Sequence, residues 1–121
     1  MRFLSMIRLD ERGSQGPSDR LMQDMGKLID EMTGEGALIT TAGLRSTAEG
    51  KRVRLHNGQL STVDGPFTET KEVISGYAVL EAPTMQAAID LTKRFLRVHG
   101  DGWELECEVR QLDGPEIGCQ A

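Results

Sequence analysis

Asp64 is the residue whose type and position most favour chemistry. It is followed by Gly65 and Pro66, which would hold its carboxylate rigidly at the end of a strand. A fixed carboxylate beside an apolar cleft can have a raised pKa and act as a general base. An aspartate at the first position of a turn also accepts backbone N–H bonds, so a purely structural role in the turn is the alternative.

Two further charged residues follow Asp64 at short spacing. Lys71 is suited either to hold a substrate anion or to pair with Asp64, and Glu69 lies two residues before it. The alternative for both is a solvated strand start whose local ion pairs contribute about 0–1 kcal/mol. The segment from Asp64 to Lys71 is therefore a candidate site, with Asp64 as its chemical centre.

Arg8 is a charged residue in an otherwise apolar strand. It has the same parity as Leu4 and Met6, so the three side chains share one face of the strand. If the last strand pairs beside the first, glutamates of the last strand lie on that face too. Arg8 is then either part of a structural ion pair at a dimer cleft or a clamp for an anion or carbonyl group of a small ligand.

The two histidines carry no metal-binding pattern. His99 lies at the end of an amphipathic segment, where a protonated imidazole suits a helix C-terminus, and His56 lies beside the turn residues Asn57 and Gly58. Two histidines without ligand spacing do not predict a metal site. No phosphate-binding loop, dinucleotide fingerprint or nucleophile elbow is present, so no cofactor is expected.

The elements that would position these residues follow from hydrophobic periodicity. Residues 2–9 and 73–81 are apolar on both parities, which is typical of buried strands, and residues 104–112 alternate. Two amphipathic helices follow the N-cap residues Ser18 and Thr84. The predicted elements are listed in order: strand 2–9, helix from Ser18, strand 37–41, strands 52–56 and 59–63, strand 73–81, helix from Thr84, strand 104–112.

This order is β-α-β, hairpin, β-α-β, and it predicts an α+β ferredoxin-like split βαβ fold with an added hairpin at Asn57-Gly58. Right-handed crossovers place both helices on one face of the sheet. The opposite face has no helix, yet strands 2–9 and 73–81 carry apolar residues there. The simplest cover is the sheet of a second copy, which predicts a homodimer.

Composition bounds the class of protein. The chain has 121 residues and a net charge of −5, so it suits a single domain, taken as residues 1–113 with a short tail at 114–121. An acidic chain is a poor general partner for nucleic acid or anionic lipid. No signal peptide or membrane span is recognised, and Cys107 and Cys119 form no disulfide framework. These features predict a cytoplasmic protein.

The run Asp64-Gly65-Pro66-Phe67-Thr68-Glu69-Thr70-Lys71-Glu72, followed by Gly76-Tyr77 and a strand leading into a helix, resembles the DGPF branch of the YCII-related family. The resemblance covers most of the chain. It includes the opening strand, the segment Ala42-Gly43-Leu44, the hairpin and the closing strand Cys107-Glu108-Val109-Arg110.

The resemblance implies a dimeric α/β barrel and an activity that is not established. Members of the wider family carry a His and an Asp in a cleft, with the His near the start of the first helix. In this chain that stretch reads Ser18-Asp19-Arg20-Leu21-Met22, without histidine. The DGPF branch is also often encoded beside sigma factors of the extracytoplasmic-function type, which implies a regulatory link.

Two functions follow as hypotheses. The first is a dimeric protein that binds a small molecule in a cleft near Asp64, in a regulatory role linked to a sigma factor. The second is a cofactor-free lyase, isomerase or hydrolase that uses Asp64 as its general base. The residues expected to bind the small molecule are Arg8, Glu69, Lys71 and Tyr77.

Overall fold

The computed structural model of the chain describes residues 1–11, 16–67 and 72–113. Six strands, two α-helices and one 3₁₀ turn are found in these ranges. In chain order they are β1 (Arg2–Leu9), α1 (Asp19–Gly34), β2 (Leu38–Gly43), the 3₁₀ turn (Thr47–Glu49), β3 (Lys51–His56), β4 (Gln59–Asp64), β5 (Val73–Glu81), α2 (Met85–His99) and β6 (Glu106–Gln111). Within those ranges, neither helix is long and apolar enough to cross a membrane.

The main sheet has four strands in the order β2-β5-β1-β6, and every neighbouring pair is antiparallel. Strands β3 and β4 pair only with each other and form a separate hairpin between β2 and β5. The predicted α+β class is confirmed, and this strand order is the one expected for a ferredoxin-like fold with an added hairpin. Strands β2 and β6 are open edges, so the sheet of this chain is not closed into a barrel.

The helix and turn boundaries follow the capping residues that the sequence indicates. The side-chain oxygen of Ser18 accepts the N–H of Leu21 at 3.1 Å, and that of Thr84 accepts the N–H of Ala87 at 3.1 Å. Gly100 ends α2 with φ 79°. At the hairpin tip both central residues have positive φ, 50° for Asn57 and 77° for Gly58, as a type I′ turn requires.

Both helices pack on the same face of the sheet, as the right-handed crossovers predict. The fully buried side chains of Phe3 on β1, Met32 on α1 and Leu80 on β5 meet in one core. A buried hydrogen bond of 3.2 Å from the Thr92 hydroxyl to Ser5 joins α2 to β1. The helix layer thus covers the odd-numbered residues of β1.

The opposite face of the sheet is not covered by any other described part of the chain. Its centre is apolar and half-exposed, and the strand register places Leu4, Met6, Tyr77 and Val79 side by side. A register shift at Ser75 adds Ile74, which pairs with Arg8 and is 41% exposed. Strict alternation along residues 73–81 would place Ile74 on the face of Ala78 and Leu80, but the extra residue of the bulge inverts the alternation.

The last strand is shorter than its sequence pattern predicts. The alternation over residues 104–112, whose apolar parity includes Leu105 and continues back to Trp103, predicted a strand there, but β6 begins only at Glu106. The Trp103 ring instead contacts the ring of His99 at the end of α2, edge to face, with 5.4 Å between centroids. The segment before β6 therefore packs on the end of a helix rather than pairing in the sheet.

Candidate ligand-binding site

A cavity of about 740 Å³ lies between α1 and the main sheet, at the end of the sheet where β1 and β2 finish and β5 begins. Its volume is within the range of small-molecule sites, which are mostly apolar with a few polar groups. Most lining side chains are apolar and include Ile7, Leu9, Leu21, Met22, Met25, Ile29, Leu44, Phe95, Trp103 and Leu105. A pocket with these walls would take up an organic molecule with a largely apolar surface.

The walls come from several separate parts of the chain. Met22, Met25 and Ile29 belong to one side of α1, where the i, i+3, i+7 spacing aligns them. The ends of β1 and β2 form the sheet wall, and the end of α2 with the segment before β6 closes the third side. Methionine side chains are flexible and polarisable, so this wall can adapt to different ligand shapes.

His99 is a polar, ionisable residue of the cavity wall. Its Nδ1 lies 2.9 Å from the carbonyl oxygen of Phe95. A carbonyl can only accept, so Nδ1 is the donor, and in the neutral imidazole Nε2 is left as an acceptor. The edge-to-face contact with Trp103 further fixes the ring. His99 therefore offers an oriented imidazole that can accept a hydrogen bond or a proton.

Glu11 is a second ionisable residue of the wall, and part of its carboxylate serves the structure. The backbone N–H of Thr47 donates to Glu11 Oε2 at 2.9 Å, and the Thr47 hydroxyl donates to Oε1. Thr47 is the first residue of the 3₁₀ turn, so this carboxylate caps the turn and ties it to the end of β1. Glu11 thus fixes one rim of the cavity.

The segment Asp64-Gly65-Pro66-Phe67 holds the base of the hairpin. The N–H of Gly65 donates to the carbonyl of Gly50 at 2.9 Å. The Phe67 ring lies under the guanidinium of Arg52, with 3.9 Å from Cζ to the ring centroid. These contacts join the end of β4 to the start of β3 and to the 3₁₀ turn, so the segment has a clear structural task.

Asp64 is not among the residues that line the cavity. Its Oδ1 accepts a hydrogen bond of 2.5 Å from Nζ of Lys51, which is its cross-strand partner, and its side chain is 76% exposed. A general base in a closed site would be buried beside an apolar wall, whereas this carboxylate is solvated and paired. The placement favours the turn role over the catalytic role.

Arg8 lies on the uncovered sheet face, as its parity predicts. Its Nη1 donates to Glu108 Oε1 at 3.3 Å, which is the ion pair anticipated between the first and last strands. Its Nε is buried without a hydrogen-bond partner in the part of the chain that the structure describes. Arg8 is not part of the cavity wall.

The remaining candidates fall in different places. Tyr77 is a lining residue of the cavity; its carbonyl accepts the Thr41 hydroxyl at 2.8 Å, and its side chain belongs to the uncovered sheet face beside Met6. Glu69 and Lys71 lie outside the described residues. Of the candidates that the structure describes, Asp64, Arg8 and Tyr77, only Tyr77 lines the cavity.

Sequence reasoning did not select His99 and Glu11 for the site. His99 was interpreted as a helix C-terminal cap, and the last-turn position is correct, but its part in a cavity depends on how α2 packs against distant segments. Glu11 gave no signal because a lone acidic residue after a strand is common. Among residues 1–11, 16–67 and 72–113, no three His, Cys, Asp or Glu side chains come together as a metal ligand set.

Comparison with known proteins identifies the family of the chain. The family model of the YCII-related domain matches residues 1–110. An uncharacterised protein of Rhizobium meliloti (strain 1021) is 28% identical over 80 residues, which make up 66% of this chain and 64% of that protein. The match thus spans less than two thirds of the relative's length.

Proposed function

The chain belongs to the YCII-related domain family, and from that premise we propose that it binds a small, mainly apolar organic molecule in the cavity between α1 and the sheet. The observation that carries the proposal is the cavity itself: about 740 Å³, apolar walls, and one oriented imidazole at His99. The proposal keeps a small-molecule role but moves the site from the neighbourhood of Asp64 to the helix side of the sheet.

The exposed apolar walls of the cavity support the binding of an apolar molecule. The cavity is partly open to solvent, and Met22 in its wall is 62% exposed. Its apolar walls therefore present surface that an apolar molecule can cover, which removes that surface from water. A ligand that covers Met22 and Met25 would stabilise the fold by mass action.

The test uses N-phenyl-1-naphthylamine, a neutral probe whose fluorescence rises in apolar surroundings. Titration of the full chain should give saturable binding, and backbone NMR shifts should concentrate on α1, the end of β2 and the end of α2. Met25→Trp fills part of the cavity and should weaken binding about tenfold or more, which corresponds to about 1.4 kcal/mol. Thermal melts of the variant show whether the fold is retained.

Met85→Trp is the matched control. Met85 opens α2, is 39% exposed and does not line the cavity, so this variant should bind the probe as the parent does. If Met25→Trp is folded and binds the probe unchanged, or if the shifts map to the uncovered sheet face, the cavity is not the binding site and the proposal is overturned.

The proposal includes self-association through the uncovered sheet face. Its apolar centre at Leu4, Met6 and Val79 is flanked by charged pairs, Arg8 with Glu108 and Arg2 with Glu81. An apolar core with a charged rim is the usual anatomy of a stable interface. Two such sheets packed face to face would produce the dimeric α/β barrel that the resemblance implies.

A cofactor-free catalytic role is the second candidate, and His99 is the observation that favours it. Nε2 of His99 can take a proton from a bound substrate while Nδ1 stays hydrogen-bonded to Phe95. Asp64 stays in the proposal only as an exposed carboxylate paired with Lys51. A bound organic acid that exchanges a carbon-bound proton with solvent at a rate abolished by His99→Phe would establish this role.

A regulatory link to a sigma factor and a cytoplasmic address stay predictions. In such a regulatory protein, ligand binding would change the surface that contacts the sigma factor. Co-purification of the chain with a sigma factor, in the presence and absence of bound N-phenyl-1-naphthylamine, would test the link directly.

A further inference from the structure

Two glycines of the cavity wall are not required by any contact among the described residues. Gly26 lies inside α1 and Gly43 ends β2; both line the cavity, and neither has a positive φ. A Cβ atom built on either glycine would meet no atom of residues 1–11, 16–67 or 72–113 within 4 Å. Within these ranges, neither backbone conformation nor close packing, the usual intramolecular reasons for a glycine, applies at these two positions.

Gly76, in the same wall, is a glycine that the packing of the chain requires. A Cβ atom there would come within 3.1 Å of the carbonyl oxygen of Ala42, so the close pairing of β2 and β5 leaves no room for it. Gly26, by contrast, destabilises the interior of a helix relative to alanine without any compensating contact. A bare backbone at such a position leaves room for the close approach of a group from outside the chain.

Gly26 lies on the helix wall of the cavity and Gly43 lies on the sheet wall. On α1, Gly26 is four residues after Met22 and three before Ile29, so it forms a notch in the apolar side that lines the cavity. Each glycine removes a side chain that would otherwise project from its wall. The helix wall and the sheet wall of the cavity thus each present a stretch of backbone without a side chain.

The other side chains around this space suit a ring. Met22 and Met25 can make favourable sulfur–aromatic contacts, and Phe95, His99 and Trp103 offer aromatic faces and edges. We propose that Gly26 and Gly43 select a planar aromatic ligand of about two fused rings, which lies between α1 and the end of β2. This inference rests on the proposed function, since it names the ligand class of the same cavity.

The test compares 2-naphthol with decahydro-2-naphthol, which has the same carbon skeleton and hydroxyl group but is saturated and thicker. Calorimetric titration of the full chain should show 2-naphthol binding at least about fivefold more tightly. Gly26→Ala and Gly43→Ala should each weaken 2-naphthol binding about fivefold or more. Gly26→Ala should at the same time raise the melting temperature by a few degrees, because alanine favours the helix.

Gly34→Ala is the matched control, because Gly34 is the last residue of α1, has equally open space at its Cβ and does not line the cavity. It should leave 2-naphthol binding unchanged. Equal affinity for the two alcohols, or glycine variants that bind 2-naphthol as the parent does, would overturn the planar-ligand inference while cavity binding stands. If neither alcohol nor N-phenyl-1-naphthylamine binds, the proposed function itself fails.

Discussion

A Cβ atom at Gly65 would lie 1.8 Å from the carbonyl oxygen of Thr47 and 2.8 Å from its carbonyl carbon. Both are backbone atoms, so neither can rotate away as the end of a side chain could. The backbone of the Asp64–Phe67 segment thus packs directly on the 3₁₀ turn, whose Thr47 is also held by Glu11. Glycine at position 65 is required by this contact.

Gly65→Ala should therefore destabilise the fold by about 1–3 kcal/mol or more, as overpacking of a tight contact does. The variant has to move the 3₁₀ turn away from the hairpin base, which also strains the Glu11 cap. Urea unfolding followed by circular dichroism measures the change. Gly50→Ala is the control, because its Cβ would meet only ordinary contacts, the nearest at 3.5 Å; equal losses in both variants would contradict the packing argument.

Asp64→Asn should be nearly neutral for both stability and binding. The carboxylate is 76% exposed and its partner Lys51 is 62% exposed, and exposed pairs contribute about 0–1 kcal/mol. Urea unfolding should show a change within that range, and N-phenyl-1-naphthylamine should bind as in the parent. A folded Asp64→Asn variant that loses ligand binding would show that Asp64 takes part in binding. Lys51→Gln is the control, because it removes the ion pair but keeps the Asp64 carboxylate.

The fold could be predicted well from the sequence because its signals are local. Ser18 and Thr84 cap the helices, and Asn57-Gly58 turns the hairpin, each through contacts within a few residues. The errors lie where tertiary structure overrides local pattern. The bulge at Ser75 inverts the alternation of β5, and Trp103 leaves the strand pattern to pack on His99.

The candidate site could not be predicted in the same way. Asp64 and Lys71 were predicted as site residues because charged residues beside a Gly-Pro turn form a compact motif. The cavity instead joins side chains from α1, two strand ends and the end of α2, which no spacing in the sequence connects. Gly26 and Gly43 have no side chain, and their place in the cavity wall is visible only in the folded structure.

Light scattering should find the parent chain at about twice 13.3 kDa at micromolar concentration. Val79→Glu places a charge in the apolar centre of the uncovered sheet face and should shift the protein to monomer, since an unpaired charge at an interface centre is costly. Met85→Glu, on the helix side of the molecule, should leave the mass unchanged. A parent chain that is a well-folded monomer would refute self-association.

The thiol of Cys107 should be slow to react while the protein is folded. Burial raises its pKa, and a hydrogen bond with Ser5 lowers it only in part. In Cys119→Ser, reaction with a disulfide reagent at pH 8 should therefore be slower in the native state than in urea, because less thiolate is present and access is restricted. Equal rates would contradict the half-buried placement. The denatured, unreduced parent should show two free thiols.

The same raised pKa predicts how stability changes with pH. The unfolded chain loses the Cys107 proton first, near the ordinary value of about 8.5. The contribution of the protonated thiol is thus fully present below that pH and is lost as pH rises through the higher folded value. The free energy of unfolding should fall more between pH 8 and pH 10 in the parent than in Cys107→Ala. Equal slopes would show that the folded pKa is not raised.

His99→Phe separates the two properties that His99 brings to the cavity. Phenylalanine keeps a ring against Trp103 but removes the hydrogen bond to Phe95 and the acceptor at Nε2, so stability should fall by about 1 kcal/mol. If Nε2 accepts the hydroxyl of a bound ligand, 2-naphthol should bind about two- to tenfold more weakly, while naphthalene, which has no hydroxyl, should bind as in the parent. Fluorescence titration of both compounds measures the difference.

His56→Phe, at the exposed end of β3, is the control and should change neither affinity. If His99→Phe binds 2-naphthol as tightly as the parent, Nε2 makes no contact with the ligand and the imidazole serves only to end α2.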